Sequence, residues 1–264
     1  MARFAPVASP ALLRYLVDEY PYGEIGGYHL MVANEVAKDP EAYHDVAKYI
    51  RQVYSKSWII LDNGAYEEGK PVDIGMMREA VETVKPDVVA APDVIGNCER
   101  TIDIFFRRFT EWSSLGVPLM AILHGTSLYE IRRCLYVMLR EKEVKHIGIP
   151  RVIADTMGSR VPTVQQALQH IGSKKYGIHL LGFSKNLQDD ITAARNPFVM
   201  GIDSTEPLRL GLELKKMNFR KPVSPGPRSE DYFGHFEASK EQVEVIVGNI
   251  EWVNNAIAMP DMDG

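Results

Sequence analysis

Short apolar runs alternate with longer segments of helical periodicity along the chain, and this alternation occurs eight times. The apolar runs predict strands at 3–8, 28–33, 58–61, 88–91, 119–123, 146–149, 178–181 and 198–202. The segments that follow them predict helices at 9–20, 40–54, 73–84, 97–115, 127–142, 162–172, 187–195 and 206–217.

The order of these elements indicates the fold class. Runs such as VVAA and LMAIL are continuously apolar, which is typical of parallel strands buried on both faces. Eight strand-then-helix units in series predict an α/β protein with a closed (β/α)8 TIM barrel. The alternative is an open doubly wound sheet, but no GxGxxG or P-loop motif follows any predicted strand.

The 264 residues suit a single domain, since one barrel of this kind spans roughly 200–250 residues. We expect the barrel over about 3–217, an irregular basic, proline-rich loop over 218–238 and a C-terminal helix over 239–258. The loop and the residues just before it hold five basic residues: Lys215, Lys216, Arg220, Lys221 and Arg228.

Composition narrows the class of protein. The chain is 45% hydrophobic with a formal net charge of −5, which excludes a globally basic nucleic-acid binder but leaves room for a local basic patch. The two cysteines, Cys98 and Cys134, have no metal-ligand spacing, so we expect neither a zinc site nor a disulfide framework. No apolar run approaches the roughly 20 residues that cross a bilayer, and we expect a cytoplasmic protein with no membrane partner.

Candidate chemistry lies where the barrel strands end, because α/β barrels carry their active sites at the C-terminal ends of the strands. Three separate strands end in aspartate: Asp62, Asp93 and Asp203. A single strand-end aspartate often only caps a helix or turns a loop. Three that converge repel one another and need a chemical reason. Breaking a base–sugar bond supplies one, because one carboxylate can attack the sugar carbon, another can exchange a proton with the base, and a third can bind the base.

These strand ends resemble the motifs of the tRNA-guanine transglycosylases. The run LDNGAYE at 61–67 resembles the family's D-S-G-G-[FY]-Q motif, and AILHG at 121–125 resembles its V-Q-G-G strand end. The run KHIGI at 145–149 resembles the G-G-[LF] segment, and HLLGF at 179–183 resembles the H-x-x-G-x-G segment. The run GIDSTEPLR at 201–209 resembles the F-D-x-x-x-P-T-R segment. The motifs come in the family's order, over about residues 28–212.

The resemblance implies a role for each strand-end aspartate. Asp203 matches the nucleophile that forms a covalent link to the ribose carbon, and Asp62 matches the acid/base residue. Asp93 matches the acidic residue that reads the edge of the base, and Tyr66 matches the aromatic that stacks on it. Tyr66 also fits a simple loop-packing role.

Further contacts follow from the same resemblance. His124, with Gly125 beside it, takes the place of a glutamine that hydrogen-bonds the base, although a core histidine is the alternative. Gly148 and Ile149 match the backbone that approaches the base. Arg209 is placed by its motif to meet a phosphate.

Three departures from the family affect the expected substrate and contacts. The tRNA enzymes carry a C-x-C-x-x-C…H zinc site that this sequence lacks, so the smaller phage-type relatives that modify DNA are more similar. His124 in place of glutamine and Ala65 in place of glycine alter the base contacts.

His179 lies several residues before the end of its strand and is read as inward barrel packing.

The leading hypothesis is therefore an enzyme that exchanges guanine for a 7-deazaguanine such as preQ0 in DNA, without metal or other cofactor. Alternatives are exchange in tRNA, a non-catalytic nucleic-acid-binding subunit, and an unrelated barrel hydrolase or lyase. The expected partners are DNA or tRNA, guanine and a 7-deazaguanine base. A second copy of the chain, giving a homodimer, is a further candidate.

Overall fold

The computed structural model describes residues 2–19, 27–171, 176–218, 232–233 and 238–259. Eight strands form one sheet: β1 (Arg3–Pro6), β2 (Tyr28–Val32), β3 (Trp58–Asp62), β4 (Val88–Ala90), β5 (Leu119–Ile122), β6 (Val144–Pro150), β7 (Gly177–Leu181) and β8 (Val199–Ser204). All recorded pairings are parallel, and the order is β1-β8-β7-β6-β5-β4-β3-β2. The end strands β1 and β2 also lie side by side. The predicted (β/α)8 barrel is confirmed.

Helices surround the strands. Those predicted from the sequence are α1 (Pro10–Glu19), α3 (Pro40–Val53), α5 (Ile74–Val84), α6 (Cys98–Ser113), α7 (Leu128–Met138), α9 (Val161–Ile171), α10 (Leu187–Ala194), α11 (Glu206–Leu212) and the C-terminal helix α12 (Lys240–Ala258). Three short helices, α2 (Ala33–Lys38), α4 (Ala65–Glu68) and α8 (Arg151–Met157), were not predicted. α2 and α8 begin directly after β2 and β6, and α4 follows β3 after two intervening residues, on the side of the barrel where the site residues lie.

The core has two layers, set by the two-residue period of the strands. On β2, Tyr28, Leu30 and Val32 point into the barrel, whereas Met31 packs outward against the helices. The inner layer consists of Ala5, Val7, Tyr28, Leu30, Val32, Ile60, Val88, Ala90, Met120 and Ile122. Because the inner layer fills the barrel, the polar residues at the strand ends are held above a packed floor.

Two buried asparagines attach α12 to the barrel. Asn254 Oδ1 accepts a hydrogen bond from the backbone N–H of Phe4 in β1 at 3.1 Å. Asn249 accepts from the N–H of Met217 at 2.9 Å and donates to the carbonyl of Pro207 at 3.0 Å. Ser239 caps the helix through a capping box with Gln242, which places the helix start where it was predicted.

Most of the predicted basic loop, including Arg220, Lys221 and Arg228, lies outside the described residues. Lys215 and Lys216 are described and exposed, and Lys215 forms an ion pair with Glu213 at 2.6 Å. In the part of the chain that the structure describes, no helix is long and apolar enough to cross a membrane.

Candidate active site

A cavity of about 280 Å³ opens at the C-terminal ends of the barrel strands. Its walls include all three strand-end aspartates, Asp62, Asp93 and Asp203. The apolar part of the wall includes Val7, Leu30, Val32, Ile122, Leu181 and Phe183. The volume is close to the lower limit of about 300 Å³ for small-molecule sites, and apolar walls with a few convergent polar groups are typical of such sites.

Asp62 is the last residue of β3, and the turn after it holds the carboxylate. Gly64 adopts a left-handed conformation with φ of 72° and donates its N–H to Asp62 Oδ2 at 3.0 Å. Burial, the charges of Glu67 and Asp93 and, less strongly, that of Asp203 raise the pKa of Asp62 well above its usual range, while the Gly64 hydrogen bond opposes them. Asp62 is therefore suited to carry a proton that it can give to a ligand.

This raised pKa predicts a pH-dependent effect on stability. In the unfolded chain the pKa of an aspartate is about 3.9. When the folded state raises this pKa, the carboxyl group makes its full contribution to the free energy of unfolding below about pH 4. That contribution is lost as the pH rises through the folded-state pKa. We therefore expect Asp62→Asn to have a higher free energy of unfolding than the wild-type protein at about pH 8, and an equal one near pH 4.

Urea denaturation of both proteins across this pH range measures the difference. Asp45→Asn is a suitable control, because Asp45 is exposed on α3. We expect the control to follow the wild-type protein at every pH. An Asp62→Asn variant no more stable than the wild-type protein at the alkaline end would contradict the raised pKa.

Asp93 follows β4 and is held by two donors from neighbouring strand ends. Asn63 Nδ2 donates to Asp93 Oδ1 at 2.7 Å. The N–H of Gly96 donates to His124 Nδ1 at 3.1 Å, so that nitrogen carries no proton and Nε2–H donates to Asp93 Oδ2 at 2.6 Å. Asp93 and His124 are 5% and 1% exposed. Both ring nitrogens of His124 are thus engaged within the protein, and His124 lines the cavity beside Asp93. The direct contact with the base that the resemblance implies for His124 stays a prediction.

Asp203 lies in β8 and also accepts two hydrogen bonds. His179 Nε2 lies 2.9 Å from Asp203 Oδ1, and the N–H of Gly182 donates to the same oxygen at 3.2 Å. The other ring nitrogen of His179 is 2.8 Å from the hydroxyl of Tyr28. His179 points into the barrel, as predicted, and its ring hydrogen-bonds the carboxylate of Asp203.

The rim of the cavity carries the cationic groups. Arg151 donates to the hydroxyl of Tyr66, and its guanidinium carbon lies 4.7 Å from the centroid of the Tyr66 ring. Tyr66 is 58% exposed, so its ring is available at the opening. Burial raises the pKa of Glu206, and the charges of Arg151 and Arg209 oppose this shift. Arg209 also lines the cavity, and its predicted contact with a phosphate stays a prediction.

Three predicted contact residues are not on the cavity wall. Ile122 and Leu181 occupy the space beside Gly148, since a Cβ there would lie 2.6 Å and 3.0 Å from their Cδ1 atoms. The carbonyl of Gly148 accepts from the N–H of Leu123 at 3.0 Å. Ile149 is fully buried in the outer core layer, and its carbonyl accepts from Arg160. Neither residue lines the cavity in this structure, and contact between this backbone and the base stays a prediction.

Close packing against helix α7 explains the glycine at position 125. A Cβ at this position would lie 2.8 Å from Cβ of Glu130 in α7, so the residue allows the strand end and the helix to approach closely. Gly125 is not among the described residues that line the cavity.

Sequence reasoning missed three residues of the site. Asn63 stood inside the quoted motif without a role, Arg151 directly follows the end of β6, and His179 was assigned to packing. The signal for His179 was the strand period: it lies two residues before the cavity residue Leu181 and therefore shares its inward face.

Comparison with known proteins assigns no family. No protein-family model matches the chain, and no curated protein sequence matches it. Within the described residues, no group of three or more histidine, cysteine, aspartate or glutamate side chains is arranged to hold a metal ion.

Proposed function

We propose that this protein is a transglycosylase that exchanges guanine for a 7-deazaguanine base in nucleic acid, preferably DNA, through a covalent Asp203–sugar intermediate. The observation that carries the proposal is the convergence of Asp62, Asp93 and Asp203 on one small cavity, each with different hydrogen-bond partners. Different environments let three carboxyl groups perform different tasks in one site.

In the first half of the reaction, Asp203 attacks the anomeric carbon of the sugar as the bond to guanine breaks, and the bonding electrons leave with the base. Asp62, whose pKa is raised, donates the proton that neutralises the departing base. In the second half, the incoming base attacks the same carbon, the ester bond to Asp203 breaks, and the proton released by the incoming base returns to Asp62. No atom is lost from the enzyme over the cycle.

Charge on the cavity wall supports this sequence of steps. Among the described residues, the wall holds six acidic side chains (Asp62, Glu67, Asp93, Asp155, Asp203 and Glu206) and two arginines (Arg151 and Arg209). An acid-rich wall stabilises the positive charge that develops on the sugar as the base leaves. These two arginines suit phosphates of the polymer.

Base binding is the task of Asp93 and Tyr66 in this proposal. The Asp93 carboxylate, already oriented by Asn63 and His124, has lone pairs left for the ring N–H and amino groups of guanine. Tyr66 provides an exposed aromatic face, and stacking of a base on such a face contributes about 1–3 kcal/mol. To reach the cavity, the nucleotide must leave a duplex or come from an open strand.

DNA is the preferred polymer because the sequence lacks the cysteine motif of the tRNA enzymes that it resembles. The test is incubation of the purified protein with labelled guanine or preQ0 and either DNA or tRNA. We expect label in DNA. Label in tRNA alone would support the alternative polymer, and release of free guanine without uptake of label would indicate a hydrolase. No reaction with either polymer would overturn the proposal.

A further inference from the structure

A buried chain of hydrogen bonds crosses the barrel interior beneath the cavity. It runs from the Tyr28 hydroxyl on β2 to His179 Nδ1 on β7 at 2.8 Å, and from His179 Nε2 to Asp203 Oδ1 on β8 at 2.9 Å. Tyr28 is 1% exposed and His179 2%. Buried polar groups of this kind are costly unless they are hydrogen-bonded, so a chain in which both ring nitrogens of His179 have partners is an organised feature.

The direction of each hydrogen bond follows from chemistry. A carboxylate only accepts, so His179 Nε2 carries the proton and donates to Asp203. In a neutral ring Nδ1 is then the acceptor, and the Tyr28 hydroxyl donates to it. Burial raises the pKa of Tyr28 far above its usual value, which keeps this hydroxyl protonated as a donor. Tyr28 therefore stabilises the tautomer in which His179 Nε2 donates to Asp203.

Both hydrogen bonds that Asp203 accepts within the described residues end on the same atom. His179 Nε2–H and the N–H of Gly182 both donate to Oδ1, at 2.9 Å and 3.2 Å. The two oxygens of the carboxylate are thus differentiated: Oδ1 is anchored, and Oδ2 is the oxygen that these donors do not hold.

The surrounding residues make room for this chain. A Cβ on Gly201 would lie 2.3 Å from Cε1 of Tyr28, so the ring occupies the space that a side chain there would need. The guanidinium carbon of Arg3 lies 4.8 Å from the centroid of the same ring. The absence of a side chain at 201 lets Tyr28 reach across the barrel to β7.

We propose that His179, oriented by Tyr28, is a positioning residue that anchors Oδ1 of Asp203, so that Oδ2 attacks the sugar and the same carboxylate leaves readily in the second half-reaction. This inference rests on the proposed function. When Oδ2 bonds to the anomeric carbon, Oδ1 becomes the carbonyl oxygen of the ester. As the incoming base breaks that ester, the electron pair returns to the carboxylate, and the two donors on Oδ1 stabilise the returning charge.

Other titratable and charged groups face the chain from neighbouring strands. Asp62 on β3 interacts with Asp203, and Arg3 on β1 interacts with Tyr28. His146 on β6 faces His179, and burial followed by the proximity of His179 lowers the pKa of His146 to about 4. His146 is therefore neutral near neutral pH and leaves the hydrogen-bonded chain without an added cation.

The test compares two substitutions of His179. Leucine removes the donor to Asp203, whereas glutamine keeps an N–H group at a similar reach. We expect His179→Leu to lower kcat for base exchange by about 10²–10³-fold with little change in KM for the base, His179→Gln to recover most of this loss, and Tyr28→Phe to lower kcat by about tenfold.

A purely structural role would not produce this split between kcat and KM, nor its rescue by glutamine. His44→Gln, an exposed substitution on α3, is the control and should match the wild-type protein. Wild-type kcat in His179→Leu would overturn the proposal.

A second measurement does not depend on exchange activity. In ¹⁵N NMR spectra of the histidine rings, we expect His179 to be the Nε2–H tautomer, and Tyr28→Phe to introduce the other tautomer. An Nδ1–H tautomer in the wild-type protein would overturn the proposed anchoring. This outcome is separate from failure of the proposed function, which would appear as a wild-type protein that exchanges no base.

Discussion

Asp203→Asn is expected to abolish base exchange, lowering kcat/KM by about four orders of magnitude or more, as loss of a nucleophile does in other covalent mechanisms. The amide oxygen can still accept the hydrogen bonds from His179 and Gly182 that now end on Oδ1. Its nitrogen cannot attack the sugar. The fold should therefore persist while the chemistry stops. The measurement is uptake of labelled base into DNA at saturating protein.

Two controls make this result interpretable. Asp203→Ala should be equally inactive, and it excludes activity regained by deamidation of the asparagine. Asp45→Asn, at an exposed position on α3, should exchange base at the wild-type rate. Thermal unfolding of each variant shows whether it is folded. A folded Asp203→Ala protein that exchanges base at the wild-type rate would refute the nucleophile assignment.

Asp93→Asn is expected to have the second-largest effect, mainly on binding of the base. Hydrogen bonds to a charged group contribute about 1.5–3 kcal/mol each, so loss of two of them should raise KM for the incoming base by about 10²-fold or more. The substitution also places an NH₂ group against one of two existing donors, Asn63 Nδ2 or His124 Nε2. Steady-state kinetics with varied base concentration measures the change.

His124→Gln is the matched substitution for this site. Its side-chain amide can still donate to Asp93, so we expect a loss of about tenfold or less. The comparison separates the charge of Asp93 from the donor that orients it. If Asp93→Asn kept the wild-type KM for the base, Asp93 would not be the group that reads it.

Much of the fold was predictable because each barrel strand is an apolar run between two amphipathic segments. All eight strands were predicted, and the structure moves their ends by a few residues; β6, for example, begins at Val144 and ends at Pro150. The missed helices were too short for a helical period to appear in the sequence. α4 has only four residues between Gly64 and Gly69, both in left-handed conformations.

The sequence was sufficient to group the strand-end residues of the candidate site, but it did not reveal their hydrogen-bond partners. Asp62, Asp93 and Asp203 could be grouped because parallel strands of a barrel end on one side. The partners of these residues come from adjacent strands and depend on register. His179 is opposite Gly201, which places Asp203 two residues further along β8 on the same inward face. Register of this kind is set by packing of the whole barrel, which no local pattern in the sequence reveals.

The distance of Gly148 and Ile149 from the cavity wall has a related physical reason. Resemblance to a short motif located the strand correctly, but the alternation of faces along β6 turns Ile149 toward the helices and leaves Gly148 covered by two apolar side chains. Sequence motifs locate a segment, whereas the side of the strand that reaches the cavity depends on the strand's own period.

Mass spectrometry of the covalent intermediate tests the central claim most directly. The wild-type protein is mixed with a short guanine-containing DNA strand in the absence of incoming base, quenched with denaturant and digested. We predict a DNA-linked peptide that contains Asp203 and that disappears when preQ0 is added before the quench. A linkage mapped to another residue, or base exchange that proceeds with no linked peptide at any time, would contradict the account.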